Sequence, residues 1–146
     1  MIYLDTSVLV AMHMHETSTV AVLTWYGQMD ATPICSSVWC VTEFASAISI
    51  KQRTGQATRS QAAQAWKQFE AQCVGDLRLL QVNSDTFKQA ALLALGPRGL
   101  RAGDALHLAA AGQARIRRLL TLDAVMRENA TRLGMQAVNM TEVGGA

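Results

Sequence analysis

The chain has 146 residues, a mass of 15.8 kDa, 50% hydrophobic and 16% charged residues. That is enough apolar material for a buried core in one domain of ordinary size, and it excludes a disordered or fibrous chain. A formal net charge of +2 permits nucleic-acid binding without demonstrating it, because binding depends on local patches such as Arg115, Arg117 and Arg118 or Arg98 and Arg101.

Residues Ile2, Tyr3 and Leu4 open the chain as a buried strand. The apolar run Val8-Leu9-Val10-Ala11-Met12 is far shorter than the roughly 20 residues a bilayer span needs. Residues 16–30 carry Val20, Val22, Leu23, Trp25, Tyr26 and Met29 in a helical distribution. Pro33-Ile34-Cys35 forms a short second strand, and Ser36 or Ser37 caps a helix that runs to about Arg53 and ends at Gly55. Thr58 or Ser60 starts another helix with Ala62, Ala65, Trp66 and Phe69 on one side. A strand over 77–82 follows, and Ser84 or Asp85 caps a helix to about Leu95. Gly96-Pro97-Arg98-Gly99 is a turn. A helix over 102–115, a strand over 118–122 and a helix over 124–133 come next, the last stopping at Gly134, and 135–140 form a last strand.

Short apolar strands between helices predict an α/β domain with a mostly parallel sheet, covering residues 1–140 as a single domain. The tail, 141–146, is expected to fray. The first residues have no basic segment ahead of an apolar one, so they are not expected to act as a signal peptide. Cys35, Cys40 and Cys73 show no zinc spacing and read as buried free thiols in a reducing cytoplasm.

Four acids stand in unusual places. Asp5 follows the first strand directly, at the carboxyl end where such folds place their chemistry. Thr6 and Ser7 can cap the next element in its place, leaving its carboxylate free. Asp123 follows Leu119-Leu120-Thr121-Leu122 at the same end of another strand, where capping and function are equally good readings. Glu43 has Trp39, Cys40, Ser46 and Ala47 as its helical neighbours and no Lys or Arg within a turn, so its charge needs an offset from elsewhere. Asp104 opens an almost wholly apolar helix; it serves the helix dipole or faces a cleft. His107 lies one turn on, as a hydrogen-bonded structural histidine or, alternatively, a metal ligand. Carboxylates converging on one rim repel each other, and a hard divalent cation, Mg²⁺ or Mn²⁺, removes that conflict. The reaction class implied is phosphodiester hydrolysis.

These residues resemble the PIN-domain nucleases, and within them the VapC-type toxins of toxin–antitoxin pairs. The matching stretches are Met-Ile-Tyr-Leu-Asp5-Thr6-Ser7, Thr42-Glu43-Phe44, Arg101-Ala102-Gly103-Asp104-Ala105-Leu106-His107-Leu108-Ala109, and Leu119-Leu120-Thr121-Leu122-Asp123 followed by Leu133-Gly134. The resemblance implies a three-layer α/β/α sandwich and a Mg²⁺- or Mn²⁺-dependent endoribonuclease. It implies Asp5, Glu43, Asp104 and Asp123 as catalytic and metal-site acids, and Thr6 and Ser7 as hydroxyls that order the site, Thr6 the nearer contributor. It also implies a homodimer and a cognate antitoxin that wraps the toxin. Helices around 16–30 and 36–69, with Trp25, Trp39 and Trp66, could serve that docking, although core packing is the simpler account of each Trp. No role is assigned to His13 or His15. Two other readings stand beside this one: a non-catalytic interaction protein on the same fold, and a metal-dependent phosphatase, which would want an Asp where Ser7 stands.

Overall fold

The computed structural model describes residues 1–141; the tail expected to fray lies outside the described residues beyond Thr141. Five parallel strands form one sheet in the order β3-β2-β1-β4-β5: β1 (Ile2–Leu4), β2 (Ile34–Ser37), β3 (Leu77–Leu80), β4 (Arg118–Leu120) and β5 (Gln136–Ala137). Seven helices accompany them among the described residues: α1 (Thr6–His13), α2 (Thr19–Gln28), α3 (Trp39–Arg53), α4 (Arg59–Val74), α5 (Ser84–Ala94), α6 (Ala102–Gln113) and α7 (Ala124–Arg132).

Alternation along the strands divides the core into two layers. Ile2, Leu4, Ile34 and Leu120 pack with α1–α4, whereas Tyr3, Cys35 and Leu119 pack with Leu108 of α6 and Met126 and Ala130 of α7. Helices therefore cover both faces of the sheet, the α/β/α sandwich that the resemblance implied. α6 is buried continuously from Ala105 to Ala111, as its near-lack of polar residues predicts.

Several local expectations change. α1 has no counterpart in the sequence reading: it is apolar nearly all round, with Val8, Leu9, Val10 and Ala11 buried, so no amphipathic stripe marks it. Asp5, not Thr6 or Ser7, caps it, with Oδ1 accepting from Val8 N at 3.4 Å. Ser36 and Ser37 lie inside β2, wholly buried, and α3 starts after Val38 with no side-chain cap. Asn83 rather than Ser84 or Asp85 caps α5, through a reciprocal pair with Thr86. Thr58 does the same for α4 with Gln61, as the sequence allows. β3, β4 and β5 are shorter than expected because pairing stops at Leu80, Leu120 and Ala137. Gly134 follows α7 at φ 85°, the left-handed conformation that favours glycine.

Trp25 is core, 4% exposed, and Trp39 and Trp66 pack partly buried against core residues, so packing accounts for all three. His13 hydrogen-bonds Gln72 Oε1 at 2.7 Å and meets the rings of Phe44 and Phe69 edge-on. Burial pushes the thiol of Cys35 up to about 11 and that of Cys40 up to about 12, so both are inert; Cys73 is only partly buried. No helix of the described residues is long and apolar enough to cross a membrane.

Candidate functional site

The strand order reverses between β1 and β4, and ligands of open parallel sheets bind beyond the carboxyl ends of strands at that point. Asp5 leaves β1 there, and Asp123 follows β4 there. α6 brings Asp104 in its first turn, and α3 brings Glu43 from its second.

Asp5 is 4% exposed. Its Oδ1 accepts from the Ser7 hydroxyl and its Oδ2 from the Thr121 hydroxyl. Ser7 Oγ also accepts from Leu122 N at 3.1 Å, which ties the start of α1 to the end of β4. Burial raises the Asp5 carboxyl above the usual range; the bonds from Ser7 and Thr121 oppose it. Asp123 is exposed and caps α7, its Oδ1 accepting from Met126 N at 2.9 Å.

Glu43 is half-buried, and the partner missing from its own helix comes from far along the chain. Its Oε1 accepts from Thr6 Oγ1 at 2.7 Å and from His107 Nε2. Burial by itself would raise the carboxyl, but the hydrogen bond from His107, the electrostatic contribution of that ring and the bond from Thr6 together hold it below the usual range. The Trp39 indole N–H is close enough to favour the charge further, although it completes no hydrogen bond. His107, 1% exposed, also meets Tyr3 Oη through Nδ1 at 2.6 Å, which makes it the hydrogen-bonded histidine expected.

Asp104 shows that the acids share one neighbourhood. Burial raises its carboxyl first, then the charges of Asp123 and Asp5; His107 acts the other way, and Glu43 raises it again. Hydrogen bonds tie the elements that carry these acids to one rim: Thr6 joins α1 to Glu43, His107 joins α6 to Glu43, and Thr121, which also accepts from Asp123 N, joins the end of β4 to Asp5. Among the described residues, however, no three His, Cys, Asp or Glu side chains already stand in a metal-holding arrangement. Asp5 and Glu43 are turned toward Ser7, Thr121, Thr6 and His107 instead.

Ser7, one of the two hydroxyls expected to order the site, donates to Asp5. Three contributors escape a reading of the sequence alone. Thr121 braces Asp5, and Tyr3 braces His107. A faint signal exists for Tyr3, since it stands two residues before Asp5 on an extended strand and so on the same side. Gly103 is the third: a Cβ there would lie 2.5 Å from Glu43 Oε2 and 3.2 Å from Trp39 Nε1. Nothing in its own stretch of sequence announces that approach.

The family model described as PIN domain matches residues 2–131. Among solved structures, the fold is similar to that of VapC20, a sarcin-ricin loop cleaving toxin of Mycobacterium tuberculosis. The TM-score is 0.72 at 17% identity, over 95% of this chain and 99% of that one. It is also similar to FitAcB from Neisseria gonorrhoeae, with a TM-score of 0.70 at 17% identity over 98% of this chain and 100% of that one. FitAB bound to an IR36 DNA fragment gives 0.64 at 15% identity, over 99% of each chain. No curated protein matches significantly. Identities this low carry the fold alone, but the family match spans nearly all the elements that build the site. The chain belongs to the PIN domain family.

Proposed function

We propose that this chain is a metal-dependent endoribonuclease, that residues 1–140 form a single PIN-like domain, and that it acts as the toxin of a toxin–antitoxin pair. The observation that carries the reading is that Asp5 and Asp123 follow β1 and β4 at the sheet's switch point, with Glu43 and the helix that bears Asp104 tied to them by Thr6 and His107. PIN domains generally use divalent metal ions, and an all-oxygen donor set suits Mg²⁺ or Mn²⁺. Asp5, Glu43, Asp104 and Asp123 would hold the ion, which when bound offsets their repulsion and supplies positive charge for phosphodiester hydrolysis. Ser7 and Thr121 orient Asp5, and Thr6 and His107 orient Glu43, which fixes the two carboxylates at the rim. The named activity of VapC20 supports a nuclease and a toxin; the FitAB assemblies support a protein partner. An antitoxin, a homodimer and a cytoplasmic location complete the proposal.

The test is cleavage of RNA by the purified protein with and without Mg²⁺ or Mn²⁺, beside Asp5→Asn. Cleavage that needs the metal and disappears in the variant is expected. No cleavage together with no Mn²⁺ binding by calorimetry would favour the interaction-protein reading instead.

Gly103→Ala separates site geometry from fold. Alanine is favoured over glycine in a helix by up to about 1 kcal/mol, so thermal stability should hold or rise. The new Cβ would displace the Glu43 carboxylate, and a shift of that size lowers turnover by about a hundredfold. Single-turnover cleavage and a melting curve on the same preparation check both halves.

A further inference from the structure

A hydrogen-bonded chain runs beneath Glu43 with no access to solvent at its base: Tyr3 is 0% and His107 1% exposed. The backbone N–H of Ser37 donates to Tyr3 Oη at 3.1 Å. Tyr3 Oη thus keeps its own proton free to donate, and His107 Nδ1 lies 2.6 Å away as an available acceptor. A neutral ring that accepts at Nδ1 carries its proton on Nε2, which donates to Glu43 Oε1. Thr6 Oγ1 donates to that same oxygen at 2.7 Å and lies 3.1 Å from Nε2, closing a triangle. Oε1 is thus taken by two donors. Oε2 faces Gly103, where a side chain has no room.

We propose that His107 and Tyr3 are positioning residues for the reaction: Tyr3 sets the His107 tautomer, and His107 with Thr6 fixes Glu43 Oε1 so that Oε2 is the oxygen offered to the cation. The proposal rests on Glu43 being a metal-site acid. Strand β1 makes it possible, because Tyr3 and Asp5 alternate to one side of the sheet and a single strand supports two of the four acids. Carboxylates that bind metals are commonly held by outer partners of this kind, whose loss weakens the metal by 10–100-fold or so.

The experiment compares wild type, Tyr3→Phe, His107→Leu and His107→Gln by Mn²⁺ calorimetry, with ¹⁵N spectra of the wild-type histidine rings. Glutamine can place an N–H donor near the position of Nε2; leucine cannot. Weakening of Mn²⁺ by about tenfold is expected in Tyr3→Phe and His107→Leu, with His107→Gln restored to within about threefold of wild type. The His107 ring should show a protonated Nε2 and a bare Nδ1. Equal affinity in all four proteins, equal loss in the glutamine and leucine variants, or a proton on Nδ1 would each overturn the proposal. Tyr3→Phe keeps the buried ring, so the comparison survives if His107→Leu fails to fold. Should wild type bind no Mn²⁺, the metal-site reading itself falls, and the ring spectrum decides the hydrogen-bond order separately.

Discussion

Asp104→Asn is expected to lower metal-dependent RNA cleavage by about a thousandfold while making the metal-free protein more stable. The first effect follows from removing one of the four acids that would hold the ion; several kcal/mol of lost charge stabilisation corresponds to a factor of that order. The second follows from the sign of its pKa shift. Burial, then Asp123 and Asp5, push the folded-state carboxyl above its ordinary value of about 3.9. Such a group contributes stability that is fully present below the ordinary value and is lost as pH rises through the folded value. At neutral pH its charge therefore costs stability, and the amide removes the cost. Asp5, also raised, adds to the same trend, whereas Glu43, lowered, contributes stability that is lost as pH falls through its folded value. Urea unfolding in chelator at pH 7 and pH 5 should show wild type gaining on acidification and Asp104→Asn gaining less. A variant less stable than wild type at pH 7, or one that cleaves at the wild-type rate, would remove Asp104 from the cluster.

Phe44→Ala is expected to destabilise the protein by about 3–5 kcal/mol. Phe44 is 0% exposed on α3 and stacks on Phe69 of α4, with ring centroids 4.1 Å apart and planes 12° from parallel. Trp66 and His13 close around the pair. Truncation would leave a cavity between two helices, and the loss of aromatic contact adds to the lost burial. For a chain of this size the midpoint of thermal unfolding should fall by roughly 10 °C. The neighbouring Glu43 takes its hydrogen bonds from Thr6 and His107, not from this cluster. Mn²⁺ affinity of the folded variant should therefore stay near that of wild type. A loss under about 1 kcal/mol would mean that α3 and α4 repack freely around position 44.

How much of this was legible beforehand differs between fold and site. Strands and helices alternate visibly because each strand is a short apolar run buried on both faces, and because breakers and caps such as Gly55, Thr58 and Gly134 are local chemistry. The same locality placed Asp5 and Asp123 at strand ends, since each follows its strand within three residues. α1 was not legible, because a helix buried nearly all round shows no periodic stripe. The cap is equally hidden, since Asp5, Thr6 and Ser7 can all cap and only the position of α1 selects Asp5. Glu43 was recognisable as a charge without a local partner, but nothing in its helix named the partner.

Local sequence was sufficient for every strand, for every helix but α1, for the parallel sheet, and for acids at strand ends and on helices, because periodicity, capping and burial patterns act within a few residues. What orients those acids came from tertiary contacts. His107 reaches Glu43 across 64 positions, and Thr121 reaches Asp5 across 116. Those meetings exist because β1 lies between β2 and β4, with α3 and α6 brought against its carboxyl end. A hydrogen bond between residues so far apart depends on strand order and helix docking, and neither leaves a periodic mark in the segments it joins.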